Sequence, residues 1–114
     1  MPDEPVYTTA PTIMSLGSTY HIFSDRVELS TTLYGRTIVP FPHVVRYAVR
    51  PPLLQRAGDE PFTPKLRCLR PDMAAFVTHV GLERATGPYR LYRFAAPDPE
   101  GFVAALAEAL GRHR

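Results

Sequence analysis

The chain has a single cysteine, Cys68, and a single lysine, Lys65. One cysteine excludes an intrachain disulfide and any site built from several thiolates, and it agrees with a reducing compartment. Leu66 and Leu69 flank it, which marks it as a buried strand thiol, since a free cysteine usually packs as a small hydrophobe. No apolar run approaches the roughly 20 residues needed to span a bilayer, so no membrane span is expected; weak binding to a membrane surface is left open. There is no basic block either. Thirteen Lys and Arg are spread along the chain against eleven Asp and Glu, for a formal net charge of +2. That balance announces no nucleic-acid partner. The opening Met1-Pro2-Asp3-Glu4 lacks a basic segment followed by an apolar one, so no secretory leader is expected and the default is a soluble, cytoplasmic protein.

Catalytic signatures are missing as well. The sequence contains no G-x-S-x-G elbow, no phosphate-cradling G-x-x-x-x-G-K-[ST] and no H-E-x-x-H. His21, His43, His79 and His113 lie on separate segments without ligand spacing, so neither a metal nor a cofactor is expected. His79 reads as a hydrogen-bonded strand histidine. Asp25, Glu28, Asp59, Glu60, Asp72 and Glu83 fall in turns or on polar strand faces, where solvation accounts for each of them. The expectation is a protein that is not an enzyme.

What the chain does have is a folding composition: 114 residues, a single-domain length, with 45% hydrophobic residues. Thirteen prolines, about twice the average usage, fall mostly between apolar runs, as in a chain of many short strands. Residues 1–18 read as a partly ordered N-terminal segment in which Val6 to Thr9 could add a short strand. Residues 19–114 read as the folded domain.

Tyr20 to Phe23 is followed by a polar turn, Ser24-Asp25-Arg26. Val27, Leu29, Thr31 and Leu33 then alternate with polar residues, the period of a strand with one buried face. Tyr34-Gly35-Arg36 turns the chain into Thr37 to Phe41, a strand that Pro40 should end or place at an edge. A fourth strand runs from His43 to Val49, with Val45, Tyr47 and Val49 facing inward. Short connections predict an antiparallel meander of these four. The Pro-rich stretch 50–64 reads as an excursion between two sheets. Three strands follow, at 65–70, 75–80 and 89–95.

The C-terminus is the best-marked element. Asp98 suits an N-cap, Pro99 the first helical position and Glu100 the positive end of the dipole. Phe102, Val103, Leu106 and Leu110 make one apolar stripe, and Gly111 reads as the stop, giving a helix over about 98–111. The expected fold is therefore mainly β: a seven-stranded antiparallel barrel or orthogonal sandwich of four plus three strands, capped by one C-terminal helix.

Two segments carry a likeness. Tyr20-His21-Ile22-Phe23-Ser24-Asp25-Arg26-Val27-Glu28-Leu29, continuing into Thr37 to Phe41, resembles the opening hairpin of the bacterial pleckstrin-homology-like domains. Tyr92 to Phe102 is similar to that family's last strand and helix entry. The resemblance implies two nearly orthogonal sheets closed by the helix. It implies no single activity, because such barrels serve as lipid, peptide and self-association modules.

The expected function is that of a non-catalytic interaction module, binding a protein partner or a second copy of itself as a homo-oligomer. The candidate surface is Tyr34, Arg36, Arg46 and Arg50, an Arg and Tyr patch of the kind that anchors interfaces. The alternative is an anionic small molecule or lipid headgroup held at an Arg-lined face near Arg36 and Arg46. A phosphoinositide site is not expected, because the turn Ser24-Asp25-Arg26 has one base beside an acid.

Overall fold

A computed structural model describes residues 4–53 and 61–113. Gly58, Asp59 and Glu60 of the Pro-rich stretch lie outside the described residues. Two four-stranded sheets pack face to face beside one helix. The first has the order β1 (Tyr7–Thr8), β2 (Thr19–Ile22), β3 (Arg26–Thr31), β4 (Gly35–Pro40), all antiparallel. The second has the order β5 (Val44–Arg50), β7 (His79–Arg84), β8 (Leu91–Phe94), β6 (Cys68–Leu69). Helix α1 spans Pro99–His113 and packs against β2, β5 and β7.

The core lies between the sheets and under the helix. Tyr20, Ile22, Val27, Leu29 and Val39 face inward from the first sheet, and Val80, Leu82, Tyr92 and Phe94 from the second. Phe102, Leu106 and Ala109 close it from the helix. Aromatic rings link the layers: Tyr20 to Phe94 at 4.5 Å, Phe94 to Phe102 at 5.2 Å and Tyr7 to Phe102 at 5.7 Å between centroids. Period-two alternation puts these residues on one face of each strand.

Several expectations are corrected. The strands number eight among the described residues, because Tyr7–Thr8 pairs with β2. The fourth strand of the first sheet is not the segment 43–49. Pro40-Phe41-Pro42 bends the chain through a 3-10 turn over Phe41–His43, and β5 starts the second sheet instead. The arrangement is not wholly antiparallel, since β6 runs parallel to β8. Among the described residues no strand pairing joins the two sheets, so they form a two-layer packing and not a closed barrel.

Local chemistry explains the shifted boundaries. Lys65 adopts a left-handed backbone (φ 65°), which breaks the expected strand 65–70 and leaves only Cys68–Leu69. Asp72 accepts from the Ala74 N–H at 3.0 Å and starts a 3-10 turn over Ala74–Phe76, so β7 begins at His79 and not at Ala75. The strand expected to end at residue 80 runs on to Arg84, because β7 continues to pair with β8 and β5. A bulge between Val44 and Arg46 reverses the phase of β5: Val44 and Tyr47 pack on the core while Val45 is exposed. At the C-terminus, Asp98 accepts from the Gly101 N–H at 3.0 Å, and the helix runs through Gly111 to His113.

Candidate functional site

The four residues picked from the sequence do not form one patch. Tyr34 stands on the β3–β4 turn, and Arg36 lies on β4, where its Nε bonds Glu28 at 3.1 Å. Glu28 is buried and also accepts from Arg26 Nε at 2.8 Å, so Arg36 serves an ion-pair cluster on the outer face of the first sheet. Arg46 and Arg50 belong to the second sheet, opposite Glu83 and His79 of β7. Arg46 donates to the Pro61 carbonyl at 3.2 Å.

The outer face of the second sheet is polar and covered. Cross-strand partners share a face, so Arg46, Ala48, Arg50, His79, Gly81, Glu83, Leu91 and Arg93 all point away from the core. The segment 61–66 is strapped over them. Phe62 fills the space above Gly81, where a Cβ would come within 2.6 Å of its ring. Both Glu83 oxygens accept from Thr63, one from the N–H at 3.0 Å and one from the hydroxyl at 2.8 Å. His79 donates from Nδ1 to the Val77 carbonyl (3.0 Å) and accepts at Nε2 from Arg93 (3.1 Å), so the bonded form carries one ring proton, on Nδ1. Beside this strap a cleft of about 480 Å³ is lined by Phe62, Thr63, Lys65, Leu91 and Arg93, among others.

Glu28 and Glu83 are thus buried ligands of arginine and threonine, not the solvated surface acids expected from their place in the sequence. Asp72 is also engaged. It accepts from the Tyr20 hydroxyl, from the Ala95 N–H at 2.9 Å and from the Ala74 N–H. Burial pushes the Tyr20 phenol up, with its bond to Asp72 acting in the same direction. Burial raises the Asp72 carboxyl too, against the pull of the hydrogen bonds it accepts. This pair joins β2 to the approach to β7 and the end of β8. Among the described residues no group of three or more His, Cys, Asp or Glu could hold a metal.

An exposed strand edge is the binding route the sequence reading favours, without saying which strand; the structure offers the edge of β5, which carries Arg46 and Arg50. This seven-residue strand is the last of its sheet, and among the described residues no strand pairs with its outer side. Beside it, Phe41, Pro42, Val44, Val45, Tyr47, Leu110 and His113 line a groove of about 300 Å³ that exposes polar and apolar atoms about equally. Three elements build the groove: the 3-10 corner supplies Phe41 and Pro42, the bulge turns Val45 outward, and the helix contributes Leu110 and His113. The two helical residues past Gly111 bring His113 edge-on to the Phe41 ring at 5.3 Å. The signal available in sequence was the run Pro40-Phe41-Pro42 ahead of a β-branched strand; the bulge itself left no trace. No family model, curated protein or solved structure matches the chain.

Proposed function

We propose that the protein is a non-catalytic interaction module of pleckstrin-homology-like type that takes an extended segment of a protein partner along β5. The observation carrying this reading is the outer side of β5, which pairs with no strand among the described residues, beside the groove formed with Leu110 and His113. Strand addition supplies affinity through main-chain hydrogen bonds and specificity through pockets for alternate side chains. The two-sheet core with a C-terminal helix, and the likeness of Tyr20 to Leu29, Thr37 to Phe41 and Tyr92 to Phe102, support that class.

Panning a library of random extended peptides against the protein tests the reading. Recovered peptides should share an apolar residue and lose binding on the order of tenfold or more with Val45→Asp, which places a charge in the groove. Failure to recover any peptide, or recovery of peptides indifferent to Val45→Asp, would count against it. A concentration-dependent mass abolished by the same variant would identify the partner as a second copy.

A second reading follows from the cleft beside the strap, where Lys65, Arg93 and Thr63 converge on one space. It relocates the anionic-ligand alternative away from Arg36. Saturable binding of inorganic phosphate that Lys65→Gln removes would favour it.

A further inference from the structure

Between Glu28 and Asp59 the chain carries no Asp or Glu, while Arg36, Arg46, Arg50 and Arg56 all fall inside that interval. β5 lies wholly within it. The fold decides how much of this charge stays at the strand edge. Arg36 is withdrawn to the first sheet, where Glu28 neutralises it. Arg50, at the far end of β5, is already engaged. Arg46 keeps its charge: it is exposed, and its guanidinium donates to the Pro61 carbonyl at 3.2 Å. The carboxylate opposite it in register, Glu83, is taken by Thr63 through both oxygens.

The bulge brings a second guanidinium to the same end of the strand. Val44 pairs with Arg84 of β7 and Arg46 with Glu83, so in the register Arg84 stands opposite one side of the outward Val45 and Arg46 lies on the other. Arg84 reaches the Ile38 carbonyl at 3.3 Å, the Tyr92 hydroxyl at 3.4 Å and His43 Nδ1 at 3.3 Å. Its Nε is buried and has no bonded partner. Among the described residues neither Arg46 nor Arg84 meets a carboxylate within ion-pair distance. On the neighbouring helix, Glu108 is paired with Arg112. This end of β5 therefore holds an excess of positive charge beside an open backbone, which favours an approaching anion.

We propose that the segment taken by β5 is acidic: an extended stretch of another protein in which carboxylates alternate with apolar side chains. This rests on the reading of β5 as a strand-addition edge and names the chemistry of its partner. The period of two follows from the ladder, since cross-strand neighbours share a face. A carboxylate on the face of Arg46 meets the guanidinium, and the residues before and after it turn to the face of Tyr47 and the groove. Val45 takes an apolar contact there, so a charge of either sign at position 45 removes it. A second copy of this chain fits less well. Its own β5 would bring arginines to arginines and has no acid to offer from residues 29–58. A nucleic acid fits less well too: it has no N–H and C=O ladder to pair with the strand, and Arg46 with Arg84 falls short of a phosphate-binding stripe.

Three pools of seven-residue peptides, the length of β5, test the inference by their binding to the full chain. Valine or threonine fills alternate positions in all three; the other positions carry glutamate in one pool, glutamine in the second and lysine in the third. The glutamate pool should bind most tightly and the lysine pool least, by about twofold to fivefold per step, with the gap closing as salt rises. Arg46→Gln should shrink that preference, and Arg46→Glu should turn it toward lysine. Equal binding of the three pools, with amide exchange slowed along β5, would overturn the inference and leave the β5 reading standing. Binding of no pool would overturn both. A glutamate preference that survives Arg46→Glu and disappears with Lys65→Gln would move the carboxylate to the cleft beside the strap and overturn the inference. Displacement of the glutamate pool by oligothymidylate at equal concentration would overturn it in favour of a nucleic acid. A concentration-dependent mass without peptide that Val45→Asp abolishes would overturn it in favour of a second copy.

Discussion

Tyr20 and Asp72 tie the two sheets together with one half-buried bond between side chains 52 positions apart. Tyr20→Phe keeps the ring packing against Phe94 but takes one of three donors from the half-buried carboxylate, at a cost of about 1 kcal/mol, readable as a lower urea midpoint. The pair also sets a pH dependence. Burial raises the Tyr20 phenol, so above about pH 10 the unfolded chain releases a proton that the native state retains. The contribution is whole below that pH and shrinks as pH rises, by up to about 1.4 kcal/mol per pH unit. Wild type should therefore lose stability more steeply than Tyr20→Phe in alkali; parallel curves would contradict the assignment. The raised Asp72 carboxyl acts in the same sense: its contribution is whole below the ordinary carboxylate value and declines as pH rises through the elevated one. Gly81 offers a second test at this scale. A methyl there meets the Phe62 ring, so Gly81→Ala should cost about 1–3 kcal/mol by overpacking. Adding Phe62→Ala should remove most of that increment in a double-mutant cycle.

Among the elements, the helix was the most legible, because its cap, first-turn proline and apolar stripe agree with one another. Asp98→Ala should lower stability by about 1 kcal/mol through loss of the bond to Gly101. Gly101→Ala should bring no helix-propensity gain, since its Cβ would lie within 3 Å of the Asp98 carboxylate; a raised thermal midpoint would contradict this. The strands of the first sheet were legible for a related reason, as alternation in β3 and the glycine turn at Gly35 (φ 74°) are local signals. What sequence did not reveal was set at long range. The left-handed Lys65, the bulge at Val45 and the parallel pairing of Cys68–Leu69 with β8 depend on where the chain must return. The candidate patch failed similarly: nearness along the chain grouped Arg36 with Arg46, while the corner at Phe41 sent them to different sheets.

For the whole molecule, the feature that bears on function is the edge of β5, which among the described residues pairs with no strand on its outer side and lies beside the groove lined by Val45, Leu110 and His113. An exposed edge strand invites association, and at the bulge of β5, beside Arg46, it is Val45 that is turned outward. Val45→Lys should therefore suppress whatever association β5 supports, with little change in thermal midpoint, since the residue is 43% exposed. The measurement that bears most directly on the central claim is hydrogen–deuterium exchange with and without a peptide selected for binding. The account predicts slower exchange at the amides of β5, by about tenfold or more, with smaller changes at Leu110 and His113. Protection confined to the strap at 61–66 or to the turn over residues 12–18, with β5 unchanged, would contradict it.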